Sequence, residues 1–269
     1  MYRLFGLILT LLVITCGGCT ASQSAADGQP APQITIFAAA SLTEAFEVIG
    51  ARFTQTEHVT VDFNFAGSQQ LAQQLSSGAP GDVFAAANQR QLDVAVASGR
   101  VVAGSEAPFA SNQLVIVTPV DNPASLYQLH DLAQPGVKLV LADAAVPAGQ
   151  YALTLLDNAR AAPEFGPAFA DAVLTNVVSY EESVRAVLAK VLLGEADAGI
   201  VYLSDVTGPV RQDVALVTLP AALNVTAHYV IAPIADSAHP DVAQAFVDFV
   251  RSDAGRTILE AYGLRRVSP

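Results

Sequence analysis

Helix starts that carry small polar residues are the places where this sequence could do chemistry. Ser41 follows an apolar strand-like stretch, residues 34–40, and stands three residues before Glu44. This is the spacing of a capping box, so we expect Ser41 to cap a helix. Its hydroxyl and the free N–H groups of the first turn would then point at one spot. Because the helix dipole makes that spot mildly positive, the expected chemistry is the binding of an anion.

Further stretches start helices with residues of the same kind. Ser68 follows the alternating apolar stretch 58–65, the turn 146–149 opens another helix, and a third helix begins near Val184. Taken singly, each of these is an ordinary helix cap. Their combination is more specific than any one of them.

Enzyme motifs are absent from the sequence. It has no Gly-x-Ser-x-Gly elbow, no Gly-x-Gly-x-x-Gly, no phosphate loop and no histidine pair at metal-ligand spacing. We interpret the four histidines as strand or surface residues: His58, His130, His228 and His239. Cysteine occurs only near the N-terminus, which excludes a disulfide or a cysteine-based metal site elsewhere.

The neighbouring carboxylates Glu181 and Glu182 do not form an acid and base pair. On a helix, adjacent residues are separated by about 100°, so the two could not face one substrate. We expect them to be carboxylates at a helix N-terminus, where the helix dipole favours negative charge.

Composition places the chain among compact globular proteins. Its 269 residues are 52% hydrophobic and only 14% charged, which excludes general disorder. The formal net charge is −12, and the only lysines are Lys138 and Lys190. A nucleic-acid partner is therefore excluded, because neutralising a phosphate backbone needs clustered lysine and arginine. A small anion is not excluded, since uncharged N–H and O–H groups bind one locally.

The N-terminal segment has the composition of an export signal. Residues 1–19 combine a positively charged start with an apolar run, 4–15, that is too short to span a bilayer comfortably. The segment resembles a bacterial lipoprotein leader in which Cys19 becomes the lipidated first residue, with Cys16 as the alternative. Residues 20–32 have the composition of a flexible linker. An ordinary cleaved signal peptide with incidental cysteines is the other interpretation.

Beyond the linker, apolar strands alternate with amphipathic helices, which favours an α/β fold with mostly parallel strands. Strands are expected at residues 34–40, 58–65, 83–87, 114–119, 138–142, 198–203 and 225–234. Helices are expected at residues 42–55, 68–78, 92–97, 126–132, 150–160, 183–193 and 242–262, the last as one broken or two successive helices.

Five segments, in this order along the chain, resemble the successive signatures of the molybdate-binding proteins of bacterial ABC transporters. They are residues 37–43, 65–68, 78–84, 146–151 and 199–205, with the sequences FAAASLT, FAGS, GAPGDVF, VPAGQY and GIVYLSD. Residues 246–262 also resemble the closing helices of that family. The similarity covers about 33–267, and five separated motifs in one order are not expected by chance.

This resemblance implies a two-lobe periplasmic-binding-protein fold of type II, with mixed, mostly parallel sheets, flanking helices and a two-strand hinge. The first lobe would comprise residues 33–112 and 229–269, and the second residues 113–228. The oxyanion contacts of the family, in the cleft between the lobes, fall on Ser41, Ser68, Ala148, Val184 and Tyr202. Before Val184 the family has two acidic residues, whereas this chain has Glu-Glu-Ser.

The function implied by the resemblance is the capture of molybdate, and of tungstate, for an ABC importer. No catalysis, no resident cofactor and no direct metal-ligand side chains are implied. Hydroxyl and backbone N–H groups would donate to the four oxygens of the anion. A site that offers only donors rejects protonated phosphate, whose O–H meets no acceptor. Sulfate is fully ionised, so its exclusion would depend on cavity size.

The expected partners are the ABC permease with its ATPase, and the membrane through the lipid anchor. We expect an exported monomer facing a periplasm or the cell exterior, whose closed form the permease recognises. One alternative is a receptor for another oxyanion, such as sulfate, on the same fold. Another is a secreted serine hydrolase using Ser41 or Ser68, which would need a histidine such as His58 or His228 as base.

Overall fold

The structure, a computed structural model, describes residues 31–267. The predicted export signal, Cys16, Cys19 and most of the predicted linker lie outside the described residues. The strands are β1 (Gln33–Ala39), β2 (Thr60–Ala66), β3 (Val83–Ala86), β4 (Ala107–Pro119), β5 (Leu139–Ala142), β6 (Val177–Glu181), β7 (Ala198–Tyr202), β8 (Val214–Val217) and β9 (Thr226–Pro233). The helices are α1 (Thr43–Glu57), α2 (Ser68–Ser76), α3 (Gln89–Ala97), α4 (Pro147–Ala161), α5 (Pro167–Thr175), α6 (Val184–Leu192), α7 (Pro240–Arg251) and α8 (Asp253–Ala261).

The strands of residues 31–267 belong to one mixed sheet. Its order is β2-β1-β3-β9-β4-β7-β5-β6, and β8 also pairs with β4. Strand β1 is parallel to β2 and β3, and β5 is parallel to β6 and β7. Strands β4 and β9 run antiparallel to their neighbours. The sheet therefore has a parallel group at each end, joined by an antiparallel centre.

Strand β4 belongs to both ends of the sheet. Its residues 107–113 pair with β9, whereas residues 114–119 pair with β7 and β8. The chain crosses the centre once along β4 and a second time between β8 and β9, as a two-strand hinge requires. The boundaries of the two lobes, expected at 112/113 and 228/229, stay a prediction.

Helix α1 shows how residue spacing covers the sheet. Its buried residues share one face, as a period of 3.6 requires: Ala45, Phe46, Ile49, Gly50 and Phe53. The rings of Phe46 and Phe53 lie edge-on to Phe246 of α7, with centroids 6.1 and 5.2 Å apart. Buried valine and leucine side chains of α4 and α6 cover the other end of the sheet.

Most of the predicted elements are confirmed. The helix predicted at 126–132 is instead a short 3₁₀ turn, Leu129–Ala133. Asn122 Oδ1 accepts from the Leu126 N–H (3.0 Å) and the Asp131 carboxylate accepts from the Tyr127 N–H (2.8 Å), so side chains hold residues 126 and 127 in a non-helical stretch before the 3₁₀ turn. The stretch predicted across 242–262 forms two helices, and the sequence pattern does not predict α5, β6 or β8.

Two negative findings hold for the part of the chain that the structure describes. Within residues 31–267 no helix combines the length and apolar character that crossing a bilayer requires. The same residues contain no group of three histidine, cysteine, aspartate or glutamate side chains that could hold a metal ion.

Candidate binding site

A small cavity lies where the parallel strands of both ends of the sheet terminate and helices begin. It is lined by Ala39, Ala40, Ser41, Gly67, Ser68, Ala87, Val146, Pro147, Ala148, Val184 and Tyr202. The five residues expected to form the site, Ser41, Ser68, Ala148, Val184 and Tyr202, are all among them. Ser41 and Ser68 are here called the first wall, and Ala148, Val184 and Tyr202 the second wall.

Ser41 does not cap a helix, so the predicted capping box is wrong. It lies in a 3₁₀ turn, Ala40–Leu42, and α1 begins after it without a side-chain cap. The Glu44 carboxylate pairs with Arg185 instead of folding back onto the helix start. The hydroxyl of Ser41 lies 2.8 Å from the hydroxyl of Tyr229, a buried residue of β9.

Ser68 is the first residue of α2, after the N-cap Gly67. Its Oγ accepts a hydrogen bond of 3.0 Å from the N–H of Ala87, at the end of β3. A side chain at Gly67 is excluded, because a Cβ there would lie 2.5 Å from the carbonyl oxygen of Glu182. The glycine thus allows the start of α2 to approach the segment before α6.

Ala148 and Val184 of the second wall have apolar side chains, so only their backbone can donate. Both lie in the first turn of a helix, α4 and α6, where N–H groups have no partner within the helix. Gly149 brings the start of α4 against the end of β5, since a Cβ there would lie 2.1 Å from the carbonyl oxygen of Asp143. Ser183 caps α6 by accepting from the Ala186 N–H at 3.2 Å.

Tyr202, the last residue of β7, is 1% exposed. Its hydroxyl has no hydrogen-bond partner among the described residues. Burial, and after it the neighbouring Tyr229, raise the pKa of Tyr202 well above its usual value. The hydroxyl therefore keeps its proton and remains a donor.

Behind the second wall lies a buried carboxylate that the sequence interpretation missed. Asp205 accepts from the Tyr202 N–H at 3.0 Å, and its side chain is fully buried. Burial raises its pKa to about 7, although Arg185, with Nε 3.8 Å from Oδ1, opposes this shift. The Arg185 guanidinium also contacts the Ala40 carbonyl oxygen (3.3 Å) and Glu44. It thereby links the elements that carry the two walls.

The surroundings of Ser41 and Ser68 decide whether either serine could act as the nucleophile of a hydrolase. The hydroxyls of Ser41 and Ser68 contact Tyr229 and the Ala87 N–H, not a histidine, and no histidine lines the cavity. The arrangement is therefore not that of a serine hydrolase.

Glu181 and Glu182 are not helical: Glu181 ends β6 and pairs with Lys190 at 2.7 Å, and Glu182 precedes α6. The prediction that both carboxylates lie at a helix N-terminus is therefore wrong, because strand β6 extends to Glu181.

Tyr229 and Asn112, which support Ser41 from β9 and β4, are also absent from the sequence interpretation. Asn112 Nδ2 lies 3.3 Å from the Tyr229 hydroxyl and 2.7 Å from Ser204 Oγ. No sequence motif marks these two positions. The pairing of β4 with β9 brings them to the site, and both strands are far along the chain from Ser41.

Comparison with known proteins gives consistent results. The family model for bacterial extracellular solute-binding proteins matches residues 34–265. The molybdate-binding protein ModA of Mycobacterium tuberculosis is 39% identical over 266 residues, covering 97% of each chain.

Solved structures of the same architecture cover most of the chain. The substrate-binding domain of a putative molybdenum ABC transporter from Clostridium difficile has a TM-score of 0.65 at 29% identity, covering 88% of this chain and all of that one. The sulfate-binding protein SubI of Mycobacterium tuberculosis has a TM-score of 0.78 at 21% identity, covering 88% of each, and shows the fold alone. The two-lobe periplasmic-binding-protein fold is thus confirmed, and the chain is not an enzyme. It belongs to the bacterial extracellular solute-binding protein family.

Proposed function

We propose that this protein binds molybdate in the cavity between the first and second walls. The observation that carries the proposal is the Tyr202 hydroxyl, a buried donor in the cavity lining without a partner among the described residues. Leaving such a group unpaired costs about 1–3 kcal/mol. A fully ionised oxyanion offers only acceptors, so it matches this donor. The 39% identity to a molybdate-binding protein over nearly the whole chain supports the same ligand.

The remaining donors fit the same anion. The hydroxyls of Ser41 and Ser68 line the cavity, and the first-turn N–H groups of Ala148 and Val184 face no partner within their helices. No lysine or arginine is part of the lining. Neutral donors distributed over two walls would surround the four oxygens of a tetrahedral dianion. Tungstate has the same charge and shape and should bind as well.

The ligand would also hold the two lobes together. Residues 33–112 with 229–269 would carry the first wall, and residues 113–228 the second wall. An anion that accepts from both walls binds the closed arrangement better than an open one, and so shifts the population toward it. This closed monomer would be recognised by the ABC permease, and the ATPase of the transporter would drive uptake.

Titration calorimetry with molybdate, tungstate, sulfate and phosphate tests the proposal. We expect molybdate and tungstate to bind at least tenfold more tightly than sulfate, a difference of about 1.4 kcal/mol. Sulfate is the favoured alternative ligand, because it is tetrahedral and fully ionised, and only the cavity size would exclude it. Equal affinity for sulfate and molybdate would contradict the molybdate assignment.

Membership of an extracellular family places the protein outside the cytoplasm. We propose that Cys19, rather than Cys16, carries a lipid that anchors it to the membrane. Fractionation of cells that express the full chain should find the protein in membranes. Cys19→Ala should release it, whereas the matched variant Cys16→Ala should not; the reverse result would assign the lipid to Cys16.

A further inference from the structure

The direction of the hydrogen bonds behind Ser41 is determined by a buried amide. The Gln113 N–H donates to Asn112 Oδ1 at 2.9 Å. The other end of this amide is therefore Nδ2, which can only donate. It lies 3.3 Å from the Tyr229 hydroxyl, so that hydroxyl oxygen accepts a hydrogen bond from Asn112.

The Tyr229 proton then points at Ser41. Tyr229 is fully buried, and its hydroxyl oxygen lies 2.8 Å from Ser41 Oγ. The buried Tyr229 proton needs an acceptor, which Asn112 Nδ2 cannot be, so the Tyr229 hydroxyl donates to Ser41 Oγ. Burial and the nearby Asp205 raise the pKa of Tyr229 above its usual value, so the proton stays on the phenol oxygen.

Ser41 is thereby left with one role toward the cavity. Its oxygen accepts from Tyr229, and its single proton is available to a ligand. The Ser68 oxygen also accepts a hydrogen bond from the protein, in this case from the Ala87 N–H, so the Ser68 proton is available to a ligand too. Both serines of the first wall are therefore presented to the cavity as donors.

We infer that Tyr229 and Asn112, which do not line the cavity, are positioning residues that set the charge and protonation specificity of the site. This inference rests on the proposed oxyanion function. A serine hydroxyl on its own either donates or accepts, and could accept a hydrogen bond from the O–H of hydrogen phosphate. Because Tyr229 donates to Ser41, the Ser41 proton points at the ligand, and a ligand O–H that faces Ser41 meets a proton instead of a lone pair, a loss that a buried site penalises strongly.

The test compares two removals of a single phenol hydroxyl. Tyr229→Phe removes the donor to Ser41, whereas the control Tyr151→Phe removes a hydroxyl from a ring 6.4 Å from that of Tyr202. Molybdate and phosphate affinities are measured by titration calorimetry at neutral pH, where phosphate keeps at least one proton. Thermal melting of both variants establishes that they are folded.

We expect Tyr229→Phe to lower the ratio of molybdate affinity to phosphate affinity about tenfold, because Ser41 can now accept from the phosphate O–H. Tyr151→Phe should leave the ratio within about twofold. Asn112→Leu, which removes the donor that orients Tyr229, should lower the ratio in the same direction and by less. This second variant decides the matter if Tyr229→Phe does not fold.

The possible outcomes separate the two proposals. If the wild-type protein binds molybdate but Tyr229→Phe weakens both anions equally, Tyr229 only supports the structure and the inference is wrong. If the wild-type protein binds phosphate or sulfate as tightly as molybdate, the proposed function itself is wrong and the inference falls with it.

Discussion

The two walls of the cavity are built from different kinds of donor. In the first wall both serine hydroxyls already have partners in the protein: Ser41 contacts Tyr229, and Ser68 accepts from Ala87. In the second wall the Tyr202 hydroxyl has none among the described residues. The first wall is therefore part of the hydrogen bonding that holds the fold together, whereas the Tyr202 hydroxyl takes no part in it within the described residues.

The walls also differ in the charges behind them. Asp205 is buried against the backbone of Tyr202, and Arg185 reaches from it to Glu44, beside the first wall. The same chemical change should therefore have different consequences on the two sides. Removing a hydroxyl from the first wall should lower both the stability of the fold and the affinity for the ligand. Removing one from the second wall should lower the affinity without lowering the stability.

The largest effect should come from the buried charge, through pH. The pKa of Asp205 is about 7 in the folded protein, against 3.8 in the unfolded chain. Between these values the unfolded chain ionises and the folded one does not, so Asp205 makes stability fall as pH rises, and the loss levels off above pH 7. Each pKa unit corresponds to about 1.4 kcal/mol, so the effect amounts to several kcal/mol.

Urea unfolding of Asp205→Asn and the wild type at several pH values between 4 and 8 measures this effect. The variant should become progressively more stable than the wild type as pH rises to about 7. Asp121→Asn, at an exposed position, is the control for the loss of a carboxylate. A difference between Asp205→Asn and the wild type that does not change with pH would mean that the Asp205 carboxylate is ionised throughout.

Ser68→Ala tests the first wall. It removes a donor to the ligand and leaves the Ala87 N–H buried without an acceptor. We expect stability to fall by about 1–3 kcal/mol, and molybdate affinity to fall by a similar amount. Ser41→Ala should weaken binding in the same range. Urea unfolding and titration calorimetry on the same preparations give both numbers, and an unchanged affinity in both variants would place the ligand elsewhere.

Tyr202→Phe tests the second wall by the matched removal of a hydroxyl. Molybdate affinity should fall by about 1.5–3 kcal/mol, the range for a hydrogen bond to a charged group. Stability without ligand should not fall, and should rise if the unpaired hydroxyl destabilises the fold. A stability loss equal to that of Ser68→Ala would show that Tyr202 has a partner in the protein, and would remove the contrast between the walls.

The sequence predicted the residues that line the cavity better than the buried residues that hold them in position. Ser41 and Ser68 follow strands β1 and β2, Tyr202 ends β7, and all three lie within recognisable motifs. Positions at the ends of parallel strands converge at one edge of a sheet. Tyr229 lies 188 residues from Ser41 and belongs to no motif. Its role follows from the antiparallel pairing of β4 with β9, which local patterns do not specify.

The errors in the local predictions have similar causes. The spacing of Ser41 and Glu44 fits a capping box, but Arg185, 141 residues further on, takes the Glu44 carboxylate. A charged partner in the tertiary structure outweighs a cap worth about 1 kcal/mol. Strand β8, Val214–Val217, is as short as β3 and β5, and the sequence pattern does not predict it although its four residues are apolar. The order of strands and helices was predictable because their apolar periodicity is long and regular.

The smallest effect should come from a neutral contact between the two sides, away from the cavity. Asn88 Nδ2, beside the first wall, donates to Gln150 Oε1 on α4 at 3.0 Å. Gln150→Ala removes this bond, which exists only while the two sides are in contact, so molybdate binding should weaken by about 0.5–1 kcal/mol. Gln89→Ala is the matched control, because its amide donates to Asp93 within the same helix, α3. If titration calorimetry finds the same change in both variants, the contact makes no contribution to closure.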